Sequence, residues 1–67
     1  MTDTERMATL ARTARATSAR YHGLWRTLSL DIAFGGVPPA RRVTELAEAA
    51  ETAEYWRLQY QLALGMT

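Results

Sequence analysis

Apolar residues return at alternating steps of three and four along most of this chain. From Met7 the stripe runs through Leu10, Ala14, Thr17, Tyr21, Leu24 and Leu28. That is a heptad pattern kept for three repeats, the signature of a helix with one buried face. Ala11, Ser18, Trp25 and Ile32 follow it one position on. The stripe is thin before Ser18 and thick after Ala19. Gly23 is the weak point, a residue that costs about 1 kcal/mol relative to alanine inside a helix. The spacing predicts a continuous helix, with a kink at His22-Gly23 as the alternative.

The helix opens on Thr2-Asp3-Thr4-Glu5. Thr2 and Glu5 have the spacing of a capping box, and Asp3 and Glu5 suit the positive end of the helix dipole. It stops at Gly35-Gly36-Val37-Pro38-Pro39. A glycine just past a helix supplies the left-handed C-cap. Pro38 pushes Val37 toward extended geometry, and Pro39 suits the first turn of a new helix. So short a connection makes the two helices antiparallel neighbours. The expected organisation is one domain, with helix one over about 3–34, a turn at 35–38 and helix two over about 39–64.

Helix two carries two stripes. Val43, Leu46, Ala50, Ala53, Arg57, Tyr60 and Leu64 form the first. Its small middle would lie opposite the bulky Tyr21, Leu24 and Trp25, since large against small lets two helices approach. The intrachain seam is therefore read as Leu10, Ala14, Tyr21, Leu24, Trp25 and Leu28 against Leu46, Ala50, Ala53 and Tyr60. Arg57 would lie along this seam with its head in water. The second stripe, Thr44, Glu48, Glu51, Tyr55, Leu58 and Leu62, turns from polar to apolar halfway. Trp56 points in a third direction. From Tyr55 to Leu64 the helix is apolar on most of its circumference, and a single partner helix cannot cover that. Tyr55, Trp56, Leu58, Leu62 and Leu64 are thus the expected interaction surface.

Composition strengthens this expectation. A chain of 67 residues sits near the lower limit of independent stability. It has no cysteine, so neither a disulfide nor a thiolate metal site can staple it. Its single histidine cannot hold zinc unaided. Association remains, and the expected fold is an all-α antiparallel two-helix hairpin that dimerises into a four-helix bundle. The opening residues have no apolar stretch of the kind a signal peptide needs, and no segment approaches the ~20 apolar residues that span a bilayer. A cytoplasmic protein without a membrane partner is expected. All eight basic residues are arginine, and lysine and asparagine are absent. That bias points to a GC-rich source, an actinobacterium or one of its phages.

Charge is placed unevenly. Glu45, Glu48, Glu51 and Glu54 wind around helix two at every third position. Antiparallel pairing would bring Arg26 near Glu45 or Glu48, and Arg20 near Glu51 or Glu54. On helix one, Arg12, Arg15, His22 and Arg26 step with Ala19 along a line opposite the core stripe. Such a line suits an anionic partner, either an acidic protein face or phosphates. The near-neutral balance of +1 and the absence of basic residues between Arg42 and Arg57 make nucleic acid the weaker alternative.

No catalytic pattern accompanies these features. No Ser, Asp or Glu stands beside His22 at a relay spacing, and a general base needs an orienting group. Without lysine there is no P-loop, and the glutamates lack the Glu-x-x-His pattern of di-iron bundles. The aromatic residues suit packing better than a ligand cup. No enzyme and no cofactor are expected. The two-helix plan with Trp and Gly loosely resembles the small secreted WXG-type hairpins of actinobacteria. Those chains carry Trp-x-Gly in the turn, whereas here Gly23-Leu24-Trp25 lies inside a helix, so no function is carried over. The expectation is a non-enzymatic interaction module that self-associates and binds a protein in a regulatory, inhibitory or structural role. The alternatives are a nucleic-acid-binding regulator and a subunit of a larger hetero-assembly.

Overall fold

The structure, a computed structural model, describes residues 2–65 and contains two helices, α1 (Asp3–Ala33) and α2 (Ala40–Gly65). They pack against each other as a hairpin. The hairpin is a rod of 49 × 17 × 13 Å. Its radius of gyration is 15.2 Å, against about 11 Å for a compact domain of this length.

Local chemistry accounts for both ends of α1. The Glu5 backbone N–H donates to Thr2 Oγ1 at 3.1 Å, which satisfies one of the unpaired donors of the first turn. At the other end Gly35 has φ +80°. Its N–H donates to the Ile32 carbonyl, and the Gly36 N–H donates to the Asp31 carbonyl at 2.9 Å. This pair of bonds is the Schellman motif, which needs a left-handed residue at its centre. α2 begins one residue later than expected. Pro39 stands outside it as the cap, its carbonyl accepting from the N–H groups of Arg42 and Val43.

Between these caps α1 is a single helix of 31 residues, helical through His22-Gly23. Its many threonines are accommodated locally. Thr9, Thr13 and Thr17 each donate a hydroxyl to the carbonyl four residues back, at 2.9 Å. Thr17 faces α2, half-buried, and also reaches the Ala14 carbonyl, so its hydroxyl enters the seam already satisfied.

The side chains that lose exposure on α1 include Met7, Leu10, Ala11, Ala14, Thr17, Ser18, Tyr21 and Leu24, with Leu28 buried in the core. On α2 the covered positions include Leu46, Ala49, Ala53, Trp56, Tyr60 and Ala63, with Ala49 the most buried at 3% exposure. These α2 residues step by three and four in strict alternation. The phase differs from the one expected. Positions 49, 56 and 63 face the seam more fully than 50, 57 and 64, so Trp56 is half-buried while Arg57 and Leu64 stand exposed.

Arg42 Nη1 donates to Asp31 Oδ2 at 2.5 Å and sets the register next to the turn. Equal steps away from that pair bring Leu24 level with Ala49, Tyr21 with Thr52 and Ala53, and Thr17 with Trp56. Ala14 lies level with Gln59 and Tyr60, and Leu10 with Ala63. Large side chains therefore meet small ones along the seam, with the larger partner changing sides. The core is thin all the same. Leu28 and Ala49 are the buried apolar residues, and no side chain is completely enclosed among the described residues.

The two glycines of α1 and its cap should respond oppositely to the same substitution. A Cβ at Gly23 meets nothing within 4 Å, and Gly23 has ordinary helical geometry. Gly23→Ala should stabilise the fold by about 1 kcal/mol. Gly35→Ala forces a side chain into the left-handed region and should cost about 1–2 kcal/mol. Urea melts followed by helical circular dichroism read both, and equal signs would contradict the assignment.

Candidate interaction surfaces

One face of the hairpin is hollow. Small side chains line it from both helices, Ala11, Ala14 and Ser18 of α1 and, nearer the turn, Ala50 and Ala53 of α2, and they leave space beside the seam. The result is an open groove of about 510 Å³, bordered also by Tyr21, Tyr60, Arg15, His22, Glu54 and Arg57. Arg57 holds Glu54 in a two-point ion pair, with Nη2–Oε1 at 2.6 Å and Nε–Oε2 at 3.3 Å. Both side chains are half exposed, so the pair contributes little stability and mainly fixes the rim. Arg57, expected along the seam, is bound within its own helix instead.

Trp25 and Trp56 exchange the roles expected of them. Trp25, expected in the seam, is 49% exposed. It lies seven residues from Ser18, hence above it on the groove side of α1, and Ile32 follows seven residues later at 53% exposure. Trp56, expected on the interaction surface, is half-buried toward α1, its ring edge-on to Tyr55 at 5.1 Å between centroids. The cause is the phase of α2. With Ala49 in the core, position 56 turns inward and position 57 turns out. The opposite choice would push a guanidinium into the seam beside Thr17, where its desolvation costs more than burying an indole.

The rest of the expected interaction surface is open. Tyr55, Leu58 and Leu62 step by three and four along the outer face of α2, exposed by 55%, 44% and 60%. Leu64 is also exposed, but on the groove side. Polar Thr44, Glu48 and Glu51 continue the outer face toward the turn.

A second apolar surface lies at the turn. Phe34 and Val37 are the most exposed large apolar residues among those described, at 85% and 93%. They border a shallow hollow with Asp31, Gly36, Pro39 and Arg42. In the sequence this segment reads as the break between two helices, with no surface assigned to it. The signal was there: from Phe34 to Pro39 no side chain is polar, whereas connecting segments at a surface are ordinarily polar.

The arginine line of α1 divides. Arg15 and His22 rim the groove, whereas Arg12 and Arg26 lie exposed outside it. The cross-helix pairs expected of Arg20 and Arg26 do not form. The ion pairs among the described residues are Arg41–Glu45, Asp31–Arg42 and Glu54–Arg57. Glu54 sits on the groove side while Arg20 occupies the opposite flank, one position before Tyr21, which keeps them apart. Among the described residues the five arginines from Arg6 to Arg26 thus have no carboxylate partner.

Among the described residues no three metal-binding side chains cluster, and no helix is long and apolar enough to cross a membrane. Searches against protein-family models, curated proteins and solved structures find no match to this chain.

Proposed function

We propose that this chain is a non-enzymatic protein-interaction module that self-associates and docks a protein partner. The observation carrying this reading is the ratio of exposed to enclosed apolar groups. Among the described residues no side chain is completely buried, while Trp25, Ile32, Phe34, Val37, Tyr55, Leu58 and Leu62 all stand at least 44% exposed. Full burial of a leucine-sized side chain is worth roughly 1.5–3 kcal/mol, so an isolated hairpin forgoes most of its available stabilisation. A dimer of hairpins in a four-helix bundle recovers it with the same heptad geometry. The outer face of α2, apolar at Tyr55, Leu58 and Leu62, is a surface for the protein partner. Binding of that kind suits a regulatory, inhibitory or structural accessory role, or a place in a larger hetero-assembly.

A second reading rests on the unpaired arginines. Between Arg6 and Leu30 α1 has five arginines and no acidic residue, a charge distribution that can follow phosphates. Against it, α2 presents four glutamates between Glu45 and Glu54 on the same small rod.

Light scattering at micromolar concentration tests the first reading. A mass of twice the chain or more is expected, and a monomer that melts cooperatively would refute it. Fluorescence anisotropy with duplex DNA at two salt concentrations tests the second. A nucleic-acid binder should lose affinity steeply as salt rises, and no binding at low salt removes that reading.

A further inference from the structure

We infer that the hollow face of the hairpin is its self-docking face, and that Trp25 of each copy fills the groove of the other across a two-fold axis. The inference rests on the self-association proposed above and names its geometry.

Size first separates a second copy from a smaller ligand. The chain exposes 5266 Å². A compact monomer of 7.5 kDa would expose about 4,250 Å². The excess of about 1,000 Å² matches what one partner contributes to a stable protein interface, about 800 Å². A small molecule in the groove would leave most of that excess uncovered.

Shape then selects the face. Ala11, Ser18, Trp25 and Ile32 are spaced by seven residues and share one side of α1. The first two line the groove, while the last two are large and half exposed. On α2 Ala50 lines the groove and Val43, seven residues nearer the turn, is 48% exposed, while Arg57 borders the groove and Leu64 lies exposed beyond it. Along α1 this face thus carries a hollow in the half remote from the turn and, with Val43 of α2 beside it, a raised apolar half near the turn. Trp25 stands about 12 Å along the rod from the middle of the groove, at about 1.5 Å per residue. A two-fold axis perpendicular to the rod, level with Tyr21, lays each raised half on the other copy's hollow half. The hairpins then run antiparallel and overlap for most of their length. An isologous contact of this kind closes after two copies.

The groove also offers what an indole needs. Its volume of about 510 Å³ falls in the range of roughly 300–1,000 Å³ typical of sites that take up a bulky group. Alanines give an apolar floor. Ser18 and Glu54 provide acceptors for the indole N–H, and Arg15 and Arg57 on the rim can lie over its ring. The outer face of α2 stays open, so self-docking and partner binding use different sides of the rod.

The test is sedimentation equilibrium on the full chain and three variants, with circular dichroism to verify the helical fold. Trp25→Ala removes the knob from a half-exposed position and should raise the dimer dissociation constant at least about tenfold, as loss of a buried interface tryptophan does. Ser18→Phe fills the hollow and should do the same; Ala11→Leu replaces it if that variant does not fold. Mixed together, Trp25→Ala still has a hollow and Ser18→Phe still has a knob. The mixture should form heterodimers more tightly than either variant forms homodimers. A wild-type monomer would overturn the self-association reading itself. A wild-type dimer left intact by Trp25→Ala or by the groove-filling variant, or not recovered on mixing, would overturn only the groove assignment. Dissociation by Leu58→Asp with Trp25→Ala intact would likewise overturn it, and would move the self-docking face to the outer side of α2.

Discussion

A helix with one neighbour can hide only one side of itself. A single seam covers a stripe roughly 100° wide, and the remainder of each helix faces water unless something else arrives. Much of this hairpin follows from that constraint. The rod is long because two extended helices are stacked side by side with nothing across them. Among the described residues its core holds Leu28 and Ala49, at 6% and 3% exposure, because a third layer would be needed to enclose the others. The exposed tryptophan, phenylalanine and leucines are the cost of building a fold from two helices.

Within that limit the seam is well matched. Large and small side chains alternate across it, with Leu24 level with Ala49, Thr17 with Trp56 and Leu10 with Ala63. The same alternation makes the groove. Along the flank lined by Ala11, Ala14, Ser18, Ala50 and Ala53 the small side chains leave a gap that the longer Arg15, Tyr21, Arg57 and Tyr60 border without filling. Tight approach in the seam and a hollow beside it are two consequences of one choice of small residues. The ion pair of Asp31 and Arg42 adds little energy at its exposure but holds the register next to the turn. Polar groups that could disturb the seam are satisfied within their own helix, Thr17 by the carbonyls of Thr13 and Ala14.

Charge is distributed by helix rather than by pair. α1 is basic from Arg6 to Arg26, and α2 is acidic from Glu45 to Glu54. Their mutual attraction across the hairpin is diffuse and weakened by salt. No bridge forms between these two runs among the described residues. The arginines of α1 and Glu48 and Glu51 of α2 therefore remain available to a partner, and the apolar tip at Phe34 and Val37 extends the accessible surface beyond the helices.

The sequence by itself determined the two helices, the break between them and the face of α1 that turns inward. Those features depend on residues a few positions apart: the three-four spacing from Met7 to Leu28, the Thr2 cap, and glycine where the backbone must turn left-handed. It did not determine the phase of α2. The columns 49, 56, 63 and 50, 57, 64 differ by one residue, or about 100° of rotation, and each contains an alanine in its middle region. Only packing against α1 decided between them. Small Ala49 fits against Leu24, and an inward Trp56 leaves the Arg57 head in water. That rotation set aside the expected patch at Trp56, sent Trp25 to the surface by filling the seam without it, and placed Arg15, His22, Glu54 and Arg57 around one groove. Spacing along the chain records which residues share a face. Which of two adjacent faces is covered depends on the shape of the helix that covers it.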